Sequence, residues 1–311
     1  MKYQRLGKTD LDVSAVTFGT GPLGGLFGDV DDEQAHAVVR EAMEHGINMF
    51  DTSPYYGSAE QRLGEAVKGR RDDVLISTKV GLYGHDDADF TPARIRSGFD
   101  ESLRLLKTDY VDVLMLHDIA NADSIDAVLG EAYETVVQLR DAGKCRYIGA
   151  SDYNLELLIK AMVDVDLDVV LTYAHGTLLD DSLSAVLEPV AAEQGVGLMN
   201  AAAVALGLLT NTTDWFRHDV LPDGSSVRHT HPATEEIQQS AKQMIALCRD
   251  EGADISFIAT QYAIQCAGAP TTVVGTTKSH HLRSAVEAVD APIDADLLAR
   301  LLALRPVHRT W

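Results

Sequence analysis

The stretch INMFDTSPYYGSAEQRLGEAVKGRRDDVLISTK, residues 47–79, decides the fold. It opens and closes on short apolar runs, INMFD (47–51) and VLISTK (74–79), each bounded by turn formers and separated by an amphipathic stretch. The same unit recurs on either side. Further runs are VTFG (16–19), VDVLMLH (111–117), CRYIGAS (145–151), DVVLTY (168–173), VGLMNA (196–201) and TTVVG (271–275), eight in all. Helical patterns lie between them. DEQAHAVVREAMEHG (32–46) has Asp32 as its expected N-cap and Gly46 as its stop, and TPARIRSGFDESLRLLK (91–107) opens on a Thr91–Pro92 cap pair. DAVLGEAYETVVQLRDAGK (126–144) and ISFIATQYAIQCAG (255–268) repeat the pattern. Ahead of the first run, KYQRLGKT turns at Gly7 and returns through LDVSAV, which predicts a hairpin.

Eight strands alternating with helices predict an α/β chain folded as a (β/α)8 TIM barrel with a short N-terminal β-hairpin, one domain over residues 1–311. Right-handed crossovers wind parallel strands round until the sheet closes. A doubly wound sheet is the competing fold. It calls for a G-x-G-x-x-G turn after the first strand, and FGTGPLGG (18–25) opens no helix directly on its glycines. One segment interrupts the alternation: residues 211–236 are long and rich in turn formers, which predicts an active-site loop. Its His218, His229 and His231 match no metal-ligand spacing, so no metal is expected.

The formal charge of −21 and pI near 4.7 argue against nucleic acid or an anionic membrane surface as partner. Cys145, Cys248 and Cys266 are widely spaced and fit reduced thiols in a cytoplasmic protein. No apolar run reaches the ~18 residues of a membrane span, and MKYQRLGKTD has no signal core. The expected partner is therefore a small molecule, with the chain a monomer or weak homo-oligomer.

Four polar residues follow three of the runs: Asp51 and Tyr56 after INMF, Lys79 within the end of VLISTK, and His117 after VDVLML. Singly, each has an ordinary reading: a cap, a loop aromatic, a solvated lysine, a core histidine. Together they sit at the same ends of parallel strands and must converge. A tyrosine near an ammonium is expected to have its pKa lowered from ~10, with a carboxylate holding the ammonium in place and a histidine orienting the oxygen. That set suits redox chemistry at an oxygen-bearing carbon. It lacks the nucleophile and base of acyl transfer, and the paired acids of a hydrolase.

GINMFDTSPYYGSAEQRLGEAV (46–67), VLISTKVG (74–81) and SLRLLKTDYVDVLMLHDI (102–119) resemble the aldo-keto reductases, and the resemblance runs from Arg5 to about Ala288. It implies a tetrad of Asp51, Tyr56, Lys79 and His117 with Tyr56 as acid/base, and a nicotinamide dinucleotide across the barrel mouth. GPLGGLFG (21–28), DTSPYYG (51–57) and LHDI (116–119) are most similar to the L-galactose dehydrogenase and L-fucose (D-threo-aldose) 1-dehydrogenase branch. Oxidation of an aldose at C1 to a lactone is the implied activity. An NADPH-dependent reductase of small aldehydes or pyridoxal, and a non-catalytic nucleotide-binding regulatory subunit, are the alternatives.

The resemblance also implies cofactor contacts at Gly19, Thr20 and Asp51, and at Ser151 of a Ser-Asn pair whose second member here is Asp152. Ala201 replaces a stacking tyrosine and Leu171 a glutamine. ALGLL (205–209), with Leu206, Gly207 and Leu209, matches the pyrophosphate loop, and Gly275, Thr276 and Thr277 the adenosine side. The family's phosphate-clamping arginine is His281 here, with Lys278 and Arg283 nearby as substitutes, so NAD is expected over NADP. Phe27, Tyr55, Tyr83 and Trp215 are expected to stack on a sugar, and Asp118 and His175 to take its hydroxyls, His175 reading equally as a core residue.

Overall fold

The computed structural model describes residues 1–25, 28–211, 217–220, 226–229 and 231–308. Its centre is a closed parallel barrel of β1 (Val16–Gly19), β2 (Met49–Asp51), β3 (Leu75–Val80), β4 (Val111–Leu116), β5 (Cys145–Asp152), β6 (Val169–Tyr173), β7 (Gly197–Ala201) and β8 (Thr271–Gly275). Strands pair in chain order and β8 closes on β1, with Gly275 opposite Gly19. All eight sequence runs are these strands.

Alternation along each strand divides the core in two. Met49, Val113, Met115, Val169, Leu171 and Met199 point inward and fill the barrel. Phe50, Ile76, Leu114, Leu116 and Ile148 point outward, into the layer shared with the helices. Both sets are apolar because a parallel sheet is covered on both faces. The hairpin of Tyr3–Arg5 and Asp12–Ser14 lies at the amino end of the barrel, where Leu6, Leu11 and Val13 join the interior layer as a plug. Gly7 turns it with φ +55°, and a Cβ there would stand 2.2 Å from Gly197 N. No other residue fits that position.

Around the barrel run α1 (Asp32–Glu44), α2 (Ala59–Ala66), α3 (Pro92–Leu106), α4 (Tyr133–Asp141), α5 (Leu155–Asp164), α6 (Glu188–Gln194), α7 (Glu235–Asp250), α8 (Ile255–Gln265), α9 (Ser279–Ala288) and α10 (Ala295–Leu302). Two sequence expectations need correction. Asp31, not Asp32, caps α1, accepting from Gln34 N at 2.8 Å, and Asp32 becomes the first helical residue beside Glu33, where carboxylates favour the positive helix end. The single helix expected over 126–144 is interrupted by a π-helical turn, Val128–Ala132, with Gly130 at φ −95°, ψ −106°. Glycine supplies little helical preference and no side chain to hold the regular ladder there. Within the long segment, Arg217–Val220 and Ser226–His229 pair antiparallel as a hairpin. Among the described residues, no helix is long and apolar enough to cross a membrane.

Candidate active site

Parallel register brings the strand ends together. Gly19 lies opposite Asp51, Asp51 opposite Ser77, and Lys79 opposite Met115. After β2 the chain passes Thr52 and Ser53 into a 3₁₀ turn, Pro54–Tyr56, started by Pro54 and capped by Ser53 Oγ accepting from Tyr55 N at 3.1 Å. The turn sets Tyr56 over the mouth. Gly24, in the loop after β1, makes room for it: a Cβ there would fall 1.5 Å from Tyr56 O. Arg62 of α2 fastens that loop through Leu23 O, Val30 O and Asp32.

Beneath Tyr56, Lys79 is fully buried, with its Nζ 2.7 Å from both Asp51 carboxylate oxygens and from Thr52 O. Ser77 Oγ donates to Asp51 Oδ1 at 3.1 Å. The ammonium stands 5.1 Å from the centre of the Tyr56 ring. His117, also buried, has Nδ1 held by Ser53 Oγ at 3.1 Å, and its ring centre is 6.0 Å from that of Tyr56. The structure thus gathers all four sequence candidates within one cluster.

Electrostatics in the cluster differ from expectation at one point. The Tyr56 phenol is held well above its ordinary pKa, first by burial and then by the charges of Asp51 and Asp118. Proximity to Lys79 does not win, because that ammonium is already paired with Asp51. Burial, then the Lys79 charge, hold His117 well below the usual histidine range, so it is neutral. Burial and the neighbouring Asp152 push Asp118 up to about 6.

The expected cofactor residues ring the mouth at the ends of β1, β5, β7 and β8. Thr20 Oγ1 and Thr52 Oγ1 are buried hydroxyls without hydrogen-bond partners among the described residues. Ser151 Oγ accepts from Asp118 N at 3.3 Å. Asp152 carries a different load from the asparagine it replaces: its oxygens accept from Ala120 N at 2.6 Å and Asn154 N at 2.7 Å, anchoring two loops. Ala201 is buried at the end of β7, in register with Tyr173. In the loop beyond, Ala205, Leu206 and Gly207 have φ of +50°, +56° and +96°, an uncommon run that turns the backbone sharply, and Leu209 N is held by Val204 O. His231 returns from the long segment to Leu206 O at 3.3 Å. After β8, Lys278 N donates to Thr276 Oγ1 at 3.0 Å, Thr277 O accepts from Gln34 Nε2 at 3.0 Å, and His281 Nδ1 is 3.4 Å from Thr276 Oγ1. Arg283 pairs with Glu41 of α1 at 3.0 Å.

Among the expected substrate residues, Tyr55 packs edge-on against both Tyr56 and His117, and Asp118 Oδ2 is 3.8 Å from His117 Nε2. Two others are engaged elsewhere. Tyr83 donates to Arg94 O at 3.2 Å and stacks on the Arg94 guanidinium at 3.7 Å, facing α3. His175 bonds Asp180 at 3.0 Å and Ser182 at 2.7 Å through Nδ1, and Tyr153 O at 2.8 Å through Nε2, so both ring nitrogens serve the loop. Phe27 and Trp215 lie outside the described residues. The sequence reading missed Ser53, the partner of His117, and the tilted ring pair Tyr153–Tyr173, 4.6 Å between ring centres. Tyr173 closes the DVVLTY run, the same strand-end position that singled out Asp51 and His117.

A model of the Aldo/keto reductase family matches residues 15–305. The chain belongs to that family of oxidoreductases. It is 35% identical to L-galactose dehydrogenase of Arabidopsis thaliana, in an alignment covering 100% of this chain and 97% of that one. It is 28% identical to D-threo-aldose 1-dehydrogenase of a Pseudomonas species over 95% of each chain. A solved aldo-keto reductase from Bacillus halodurans, in its holo form, superposes with a TM-score of 0.78 at 27% identity, covering 99% of this chain and 97% of that chain.

Proposed function

We propose that the protein oxidises an aldose at C1 to the lactone, using a nicotinamide dinucleotide and Tyr56 as acid/base. The observation that carries this reading is the Lys79–Asp51 pair, closed at 2.7 Å beneath Tyr56 with neutral His117 beside it. The hydroxyls of Thr20 and Thr52, without partners among the described residues, and the left-handed backbone at 205–207 fit a polar ligand laid across the mouth. Gly19, Thr20, Ser151, Ala201, Leu206, Gly207, Leu209, Gly275, Thr276 and Thr277 are the residues that would hold the coenzyme, which accepts the C1 hydrogen as hydride. Asp152, already anchoring two loops, would offer only acceptor oxygens to a carboxamide.

The chain's own part is the proton. Tyr56 Oη, as phenolate, takes the proton of the anomeric hydroxyl as the C1–H bond breaks and the C1=O bond forms. In the reverse direction the phenol returns it to the carbonyl oxygen. Neutral His117, fixed through Nδ1, keeps Nε2 for that same oxygen. Lys79 lies below the ring and favours the negative charge while Asp51 fixes its place. Tyr55 lines the sugar side.

For the coenzyme, NAD is the better fit. Arg283 is drawn onto Glu41, and burial and the neighbouring His280 and Lys278 hold His281 below the usual histidine range, so neither offers a free charged fork for a 2′-phosphate. The sugar assignment draws on the names of the two aldose-oxidising relatives. Initial rates with NAD on L-galactose, L-fucose and D-arabinose, against pyridoxal and methylglyoxal, test it. Turnover is expected with the aldoses, and turnover confined to the last two would replace the reading with a small-aldehyde oxidoreductase.

A further inference from the structure

We infer that Asp118 and Tyr173 form a second recognition pair, which reads a hydroxyl on the carbon next to the reacting one and so selects 2-hydroxy aldoses over substrates lacking that group. The inference rests on the aldose reading above and adds what determines its specificity.

Tyr173 ends β6 and lies against the apolar layer inside the barrel, with Leu171 and Met199. Its Oη is nevertheless buried and without a hydrogen-bond partner among the described residues. Asp118 Oδ1, just past the end of β4 and two strands from β6, is in the same condition. Unpaired buried polar atoms are rare in folded proteins and costly to keep, and two in one pocket mark a place where a ligand completes the bonding. The two groups also lie close together: the Tyr173 phenol favours the Asp118 carboxylate against the opposing effects of burial and Asp152.

Backbone strain fixes the carboxylate where it is. Asp118 is left-handed, φ +45° and ψ +63°, a conformation open to Asp but uncommon outside glycine. It is held by Ser151 Oγ on its N–H, and by Asn121 N at 2.9 Å and Asn121 Nδ2 at 3.0 Å on its carbonyl. The turn swings the side chain toward His117, leaving Oδ2 3.8 Å from Nε2. Tyr173 is braced in turn by Tyr153, whose carbonyl is pinned by His175. The deep histidine that does not face the mouth therefore supports the tyrosine pair that does.

The geometry selects a vicinal hydroxyl. With the reacting oxygen at His117 Nε2, a group meeting Asp118 one short step away belongs to the adjacent carbon. A hydroxyl there donates to the carboxylate and accepts from the phenol, satisfying both orphans at once. A methylene satisfies neither. Sites that leave a buried charged acceptor unpaired discriminate by roughly 10–100-fold per lost bond.

The test compares kcat/KM for L-fucose and 2-deoxy-L-fucose with NAD, in the wild-type protein, in Tyr173→Phe, and in Asp118→Gly, which tolerates the left-handed backbone. The wild type is expected to favour L-fucose by ~10–100-fold. In each variant the ratio between the two sugars falls toward unity, while Tyr173→Phe melts close to the wild type, because the hydroxyl it removes has no hydrogen-bond partner among the described residues. Equal wild-type rates on both sugars overturn the inference and leave the aldose reading standing. So does an unchanged ratio in the variants. Absence of turnover on every aldose overturns the aldose reading itself, and the inference with it.

Discussion

The Lys79–Asp51 pair is the most exacting element of the site, and separating its two members should be costly. Lys79 is fully buried, and its ammonium has three contacts at 2.7 Å, two of them to Asp51. Asp51→Asn removes the compensating charge and leaves a buried ammonium with neutral oxygens. Lys79→Met leaves a buried carboxylate with the 3.1 Å bond from Ser77. Breaking a buried pair from one side costs about 3–5 kcal/mol, so either variant is expected to lose that much. The double variant removes both charges together and is expected to lose far less than the ~6–10 kcal/mol sum, because no ion remains unpaired. Urea unfolding followed by far-ultraviolet circular dichroism gives the three differences. Turnover separates stability from chemistry: the double variant regains stability but not activity, since the charge under Tyr56 is gone. Additivity of the two single losses to within ~0.5 kcal/mol would show that the charges do not compensate each other, and would refute the reasoning.

Two further outcomes follow from the electrostatics. Tyr56 is held above its ordinary pKa by burial and by Asp51 and Asp118, so at neutral pH it is a phenol. Oxidation needs the phenolate, and its rate should rise with pH by up to about tenfold per unit through the alkaline range, while Lys79→Met moves the profile higher still; a flat profile would remove Tyr56 as the base. His281→Arg supplies a bidentate phosphate donor worth ~1.5–3 kcal/mol, and should raise relative use of NADP by roughly ten- to a hundredfold in matched initial rates. A wild-type preference for NADP would contradict the present account of Arg283 and His281.

Much of the barrel is legible in the sequence because its signals are local and repeated. VDVLML and VLIST read as buried parallel strands from their apolar runs alone, and Thr91–Pro92 marks a helix start by its own chemistry. Convergence of Asp51, Lys79 and His117 follows from strand-end position once the strands are parallel. What escaped reading depends on tertiary context. Gly130 looks like any tolerated helix glycine, and only packing against the barrel reveals the π-helical turn. The direction of the Tyr56 shift could not be read either, because burial and the pairing of Lys79 with Asp51 outweigh simple proximity to an ammonium. Tyr83 and His175 look like site residues by position, yet Arg94 claims one and Asp180 with Ser182 the other. Tyr173 went unnoticed because an aromatic ending an apolar run reads as core, and its exceptional feature is one hydroxyl without a hydrogen-bond partner among the described residues.

The central claim is that Tyr56 moves the proton while other residues hold the coenzyme. Tyr56→Phe tests it most directly, through reduced-nicotinamide formation with NAD and L-galactose, alongside coenzyme binding measured by quenching of protein fluorescence. Turnover is expected to fall by ~10²–10⁴-fold with NAD binding retained. Near-normal turnover with bound coenzyme would contradict the account.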